Sequence, residues 1–225
     1  MIQSNLYIIT MTRSLKQVLI KIAEELQSRS DPSHDFQHVL RVLNLSLKLA
    51  KKTNADIDII IPAVLFHDIV IYPKNSPESK NENTESSIVA EKILNGIKKY
   101  PKEKIPRAVS CIKECSFSKG LKASSLESEI LQDADRLEAT GAISIMRTFS
   151  SGGQMNKPFY PSEDPLCKKG SVRFRSSIDL FYERLLVVKD TMHTEYAKKI
   201  AEQRTNFLKK FLKQLEKELK ESKVM

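Results

Sequence analysis

Apolar positions recur in helical rhythm along most of the chain. Leu15, Val18, Leu19, Ile22 and Leu26 fall at three- and four-residue spacing, as do Val39, Val42, Leu43, Leu45, Leu49 and Ala50, and both sets predict amphipathic helices. Between them, SRSDPSHD combines turn formers with a proline, which disfavours helix at the residue before it. A third segment, DIDIIIPAVLFHDIVIYP, is apolar nearly all round, so periodicity alone admits a buried strand or a buried helix. Pro62 favours the helix. It has no place in a central strand, whereas near a helix's first turn its missing N–H costs little. This helix is predicted to end near Tyr72-Pro73, with KNSPESKNENTES following as a surface loop.

Ile88, Val89, Ile93, Leu94 and Ile97 mark a further helix, and another is expected from about Lys102 to Phe117. Ser124-Ser125-Leu126-Glu127 supplies a cap and a Glu three places on, opening a helix through Leu131, Leu137 and Ala139 to Gly141. Residues 151–175 are rich in Gly, Pro, Lys and Ser without periodicity and read as a long loop, of a kind commonly functional or disordered. Two last helices are expected, Ser176 to Val188 and Thr194 to Lys220. With no strand candidate and no internal repeat, the expected fold is all-α, a single domain over 1–225.

Composition narrows the setting. A chain of 225 residues, 40% of them hydrophobic, buries one respectable core. No stretch approaches the ~18 uninterrupted apolar residues of a membrane span, and MIQSNLYIITMTRS lacks a basic region ahead of its apolar patch. A soluble, cytoplasmic protein without a membrane partner is expected. Cys111, Cys115 and Cys167 form neither an even disulfide set nor a CxxC pair and read as free thiols. The formal net charge of +9 favours anionic ligands such as phosphates. Much of it lies in the C-terminal run Lys209, Lys210, Lys213, Lys217, Lys220 and Lys223. There it alternates with acidic and apolar positions as on the solvated face of an amphipathic helix, so nucleic acid is not the expected partner.

The four histidines change the picture, because three of them, His34, His38 and His67, lie in HDFQH and in the doublet His67-Asp68. Asp68 falls inside the most apolar segment, where an unpaired carboxylate is costly and metal coordination offsets the cost. His38, His67 and Asp68 offer three ligands. The best fourth donor lies in QDADRL, where Asp133 and Asp135 interrupt core-facing positions. Two imidazoles and two carboxylates make a mixed N/O set that suits one divalent Mn, Fe, Ni, Co or Mg ion better than structural zinc.

In order and spacing, His38, His67-Asp68 and Asp135 resemble the H…HD…D signature of the HD-domain metal-dependent phosphohydrolase superfamily. The likeness is close to a subgroup of small HD proteins. It takes in HDFQHVLRV, LFHDIVIYPKNSP, ILQDADRLEATGAISIMRTF, GQMNKPFY and MHTEYAKKIAEQRTNFL, about residues 30 to 212. It implies an HD-type helical bundle with a metal-site core over about 30–140, C-terminal helices over about 176–220, and hydrolysis of a phosphate ester, often of a nucleotide. It also implies His38, His67, Asp68 and Asp135 as ligands. Asp133 is the alternative to Asp135, roughly 200° round the same helix. Ile69-Val70-Ile71-Tyr72 replaces the Glu-Asp pair that follows the doublet in ppGpp hydrolases, a departure that argues against that substrate.

In such chemistry Asp68 is placed to orient or deprotonate the attacking water, and His34 is the candidate acid or phosphate contact because imidazole titrates near neutrality. Arg41, Arg136 and Lys157 are candidate substrate contacts, with Lys168, Lys169, Arg173 and Arg175 as further cations of the loop. Phe159 and Tyr160 are expected to pack that loop or to stack on a base, and His193 to belong to a helix cap. The expected partner is a small phosphorylated substrate, and a homo-oligomer is compatible with the sequence. The alternative is a catalytically reduced metal- and nucleotide-binding protein of the same fold.

Overall fold

Helix α3 (Ile57–Phe66) lies at the centre, buried on every side from Asp58 to Phe66. Around it pack α1 (Arg13–Leu26), α2 (Phe36–Thr53), α4 (Glu82–Gly96), α5 (Ile105–Glu114) and α6 (Leu126–Leu137). A second group comprises α7 (Gly141–Gln154), the short α8 (Ser177–Leu180) and the long α9 (Glu195–Glu221), which packs on α7 and reaches α6 and α2. This computed structural model describes residues 11–27, 35–73, 76–116, 119–172 and 175–223, and no strand occurs among them. The all-α expectation holds. So does the amphipathic reading of α9, which buries Ala197, Ala201, Thr205, Leu208, Leu212 and Leu219. No helix among the described residues is long and apolar enough to cross a membrane, and Cys111, Cys115 and Cys167 are free and buried.

The central helix departs from expectation at both of its special residues. It stops at Phe66 rather than near Tyr72, so Asp68 lies just beyond its end. Pro62 stands inside the helix, past the first turn, where its missing N–H leaves the Asp58 carbonyl without a helical donor. The buried Tyr100 hydroxyl fills that vacancy, donating to the Asp58 carbonyl at 2.9 Å. A phenol from another helix connection thereby completes the ladder that proline interrupts.

Other boundaries shift for local reasons. Residues 102–117 begin with a 3-10 turn, Lys102–Lys104, before α5, and Phe117 lies outside the described residues. Helix α6 is capped by Ser125, whose hydroxyl accepts from the Ser128 N–H, and not by Ser124. Ser124 donates instead to Glu114 at 2.7 Å, while Glu127 binds Arg107 at 2.7 Å and the Asp56 N–H at 3.0 Å. This helix ends at Leu137, four residues short of the expected Gly141, which instead opens α7 with φ +70°.

Helix α7 escaped the sequence pattern because its buried positions, Gly141, Ser144, Thr148 and Gly152, are all small. Close packing requires this: a Cβ at Gly152 would lie 2.2 Å from the Ser177 hydroxyl oxygen. The loop expected from 151 therefore starts only after Gln154. Residues 176–188 are likewise not one helix but α8, a π-turn over Phe181–Leu185 and a 3-10 turn over Val188–Thr191. Asp179 anchors this region, accepting from the Ser176 N–H (2.9 Å), the Ser176 hydroxyl (2.6 Å), the Val172 N–H (2.9 Å) and the Cys167 thiol (3.1 Å). Burial opposes its ionisation, but these donors outweigh burial and hold its pKa down at about 2.

Candidate metal centre

The first turn of α2 presents His38. Asp35 caps that helix and accepts from the His38 N–H at 2.9 Å, so the acid next to the histidine pair sets the helix start. The His38 ring is fully buried, and its Nδ1 donates to Glu138 Oε2 at 3.3 Å. His67 stands at the C-terminal end of α3, where the last carbonyls lack helical donors, and its Nδ1 donates to the Val64 carbonyl at 2.7 Å. A carbonyl or carboxylate oxygen can only accept. In its neutral form each ring therefore carries its proton on Nδ1 and turns an Nε2 lone pair inward.

Those lone pairs meet two carboxylates. His38 Nε2 lies 3.6 Å from Asp68 Oδ2 and 3.5 Å from Asp135 Oδ1, and His67 Nε2 lies 3.4 Å and 4.0 Å from the same two atoms. His38, His67 and Asp135 offer ligand atoms within 4.8 Å of one another. The imidazoles are sealed in, while the Asp68 and Asp135 side chains are 23% and 21% exposed and form the open side. Asp68 is fixed through its backbone, whose carbonyl accepts from Gln27 Nε2 at 3.3 Å.

Neutral imidazole lone pairs facing carboxylates repel unless a cation lies between them. His67 Nε2 is buried and makes no hydrogen bond, which is what a ligand atom requires. The separations are close to the ~3 Å or slightly more between neighbouring ligands at bonds of ~2.1 Å to one ion. The N/O donor set thus fits a divalent metal. A proton is the other cation available: burial works to lower the His38 pKa, but its contacts with Asp68 and Glu138 outweigh burial and hold it raised.

The neighbouring acid has a separate task. Asp133 is fully buried and turned to the start of α9, accepting from the His193 N–H (2.7 Å), the Thr194 N–H (2.8 Å) and the Thr194 hydroxyl (2.7 Å). Thr194 is the N-cap of α9, and the His193 just before it sets its ring Nε2 2.8 Å from Gln132 Oε1. Arg136 is buried as well, and its guanidinium reaches the Thr191 carbonyl and, at 2.6 Å, Gln132 Oε1. These contacts brace α6 against the turn before α9.

Arg41 lies one turn after His38, with its Nε on Glu138 Oε2 at 2.8 Å and its side chain 37% exposed. Lys157 sits just past α7, its N–H on the Gly152 carbonyl at 2.8 Å. Of the other loop cations, Lys168 pairs with Glu216 and Arg175 with Glu163 and Asp179, while the Lys169 N–H binds Asp164. Phe159 packs edge-on against Phe149 with centroids 5.4 Å apart. His34 and Arg173 lie outside the described residues.

Sequence reasoning missed Glu138. It is 1% exposed, and contacts with His38 and Arg41 overcome the effect of burial to hold its carboxyl below the usual range. The available signal was its place three residues after Asp135, on the same side of the α6 terminus, with Leu137 and Ala139 on either side.

A helical bundle that gathers two imidazoles and two carboxylates from α2, the end of α3 and α6 has the architecture of the HD class. The HD domain family model matches residues 35–140, and this chain belongs to that family. It is 33% identical to YpgQ of Bacillus subtilis (strain 168) over 190 residues, 83% of this chain and 84% of YpgQ. The crystal structure of Bacillus subtilis YpgQ in complex with ADP superposes with a TM-score of 0.68 at 29% identity, covering 91% of this chain and 97% of that one. An HD-superfamily hydrolase from Bacillus thuringiensis gives a TM-score of 0.67 at 27% identity, covering 92% and 97%. HD domains bind divalent metals, and the superfamily's hydrolases are generally metal-dependent phosphohydrolases.

Proposed function

We propose that this chain is a metal-dependent phosphohydrolase that cleaves a phosphate ester of a nucleotide or related small molecule, with His38, His67, Asp68 and Asp135 as the ligands of one divalent ion. The convergence of two Nδ1-protonated imidazoles and two carboxylates within 3.4–4.0 Å carries this reading. The ADP complex of YpgQ supports a nucleotide as the ligand class. A bound divalent ion supplies Lewis acidity and a water of lowered pKa. Asp68, on the open side, would be placed to orient the attacking water and accept a proton from it. Arg41, held through Nε by Glu138 yet partly exposed, contacts the phosphate, and Lys157 closes from the segment after α7. His34 is the candidate proton donor to the leaving group.

The test is turnover by protein loaded with Mn, Co or Ni against a panel of nucleotides and model phosphate esters. His67→Ala and Asp68→Ala should each lower the rate by ~100-fold or more. Full activity in either variant, or no turnover of any compound, contradicts the assignment. The second reading is a metal- and nucleotide-binding protein with little turnover. One observation favours it: Ile69-Val70-Ile71-Tyr72 follows the doublet where ppGpp hydrolases carry a Glu-Asp pair. Tight ADP binding with no product over long incubation would select it.

A further inference from the structure

Asp68 is the candidate ligand that neither a helix nor a helix cap carries. His38 lies in the first turn of α2, Asp135 lies in α6, and His67 caps α3 with its ring held by the Val64 carbonyl. Asp68 stands one residue further on, at the head of a run, 68–73, without helix or strand. Each residue of such a run is free to turn about φ and ψ, so it holds a carboxylate in place only if its backbone is tied from outside.

The ties are side chains. The Asp68 carbonyl accepts from Gln27 Nε2 at 3.3 Å, and Gln27 is itself fixed at the end of α1, its N–H donating to the Ala23 carbonyl at 3.0 Å. Two residues on, the Val70 N–H donates to Ser86 Oγ at 3.1 Å. Two further, the Tyr72 N–H donates to Glu82 Oε1 at 2.8 Å and the Tyr72 hydroxyl to Glu85 Oε2 at 2.6 Å. Glu82, Glu85 and Ser86 fall three and four residues apart, so they share one face of the first turns of α4. That face does the work of a neighbouring strand, offering oxygens to backbone N–H groups two residues apart. Ser86 is fully buried, where bulk water does not make good the loss of its oxygen.

The consequence reaches the metal centre. Asp68 Oδ2 lies 3.6 Å from His38 Nε2 and 3.4 Å from His67 Nε2, and a ligand constellation tolerates displacements on the order of 0.5 Å. Val70 is two residues from Asp68, so slack in the run passes directly to that carboxylate. We propose that Glu82 and Ser86 of α4, with Gln27 at the end of α1, are positioning residues for Asp68, clamping the run after the doublet and thereby setting the metal affinity of the centre. The proposal rests on the metal-dependent reading of the site. It gives a part in that site to α4, which carries none of the candidate ligands. The structural alternative is that these bonds only stabilise the fold.

The experiment is a competition titration of Mn against a chelator, on the parent and on Ser86→Ala, Glu82→Ala, Gln27→Ala and Glu82→Gln. Thermal unfolding and hydrogen exchange at the Val70 and Tyr72 amides are recorded on the Mn-free proteins. Tyr100→Phe, which loses a hydrogen bond at the other end of α3, is the control for lost stability. The three Ala variants should bind Mn at least ~10-fold more weakly than the parent. The Val70 amide should exchange faster in Ser86→Ala and the Tyr72 amide faster in Glu82→Ala. Glu82→Gln keeps an acceptor oxygen and should recover most of the loss, and Tyr100→Phe should bind Mn as the parent does. Parent-like Mn affinity in the three Ala variants overturns the proposal, as does an equal loss in Tyr100→Phe or no recovery in Glu82→Gln. A parent that binds no Mn removes the metal-dependent reading and the proposal with it. A protein that shows the expected order of Mn affinities yet turns over nothing contradicts the hydrolase reading and leaves the clamp standing.

Discussion

His38 and Glu138 stand 100 positions apart in the chain and 3.3 Å apart in space. The carboxylate fixes which ring nitrogen carries the proton and thereby which one faces Asp68 and Asp135. It also accepts from Arg41 at 2.8 Å, so one oxygen orients a candidate ligand and a candidate phosphate contact together. Outer carboxylates of this kind raise the basicity of a ligating histidine, and their loss weakens metal affinity by ~10- to 100-fold. Glu138→Ala should fall in that range in a competition titration against a chelator, with Glu138→Gln between it and the parent. Affinities equal to the parent's would remove Glu138 from the site.

Titration of His38 gives a sign that depends on the metal. Burial pulls its pKa down from 6.5, but Asp68 and Glu138 raise it further than burial lowers it. In metal-free protein the stability from this group is fully present below about 6.5 and is lost as pH rises through the higher folded-state value. A metal ion must displace that proton, so its binding strengthens with pH. Melting temperature in chelator should therefore fall as pH rises above the ordinary histidine value of 6.5, while the increment added by Mn grows in the same direction. Parallel curves with and without Mn would contradict this.

Tyr100 and Pro62 form a compensated pair. Tyr100→Phe leaves the buried Asp58 carbonyl without its 2.9 Å donor and should cost ~1–2 kcal/mol in urea unfolding. In a Pro62→Ala background the residue at 62 regains an N–H, so the same Tyr100→Phe change should cost less. Equal costs in both backgrounds would show that the hydroxyl and the proline are independent.

Helix α7 depends on close approach. Gly152→Ala places a Cβ 2.2 Å from the Ser177 hydroxyl oxygen and should destabilise by ~1–3 kcal/mol. Ser177→Ala removes that oxygen, and the double variant should regain most of the loss because the remaining Ser177 Cβ lies at 3.5 Å. A thermal unfolding cycle with purely additive effects would place the cost elsewhere.

The four candidate ligands were legible because histidines and aspartates stand out within apolar segments, where burial without a partner is costly. Asp133 was harder to separate from Asp135, since both interrupt the same helix. Only the fold shows Asp133 holding the Thr194 N–H and hydroxyl at the start of α9. Helix α7 was hidden because its packing face is made of glycine, serine and threonine, which carry no hydrophobic period. Glu138 looks like an ordinary surface charge in the chain. Its role arises from a contact with His38, 100 positions away, and no local pattern records that.

The ligand assignment is tested most directly by the metal content of two variants two residues apart. After loading with Mn and removal of unbound ion, the parent should retain one equivalent per chain, Asp133→Asn should retain it with a lowered unfolding midpoint, and Asp135→Asn should lose most of it while staying folded. The contradicting result is the reverse: an Asp135→Asn protein that holds Mn as the parent does, or an Asp133→Asn protein that folds normally and holds none.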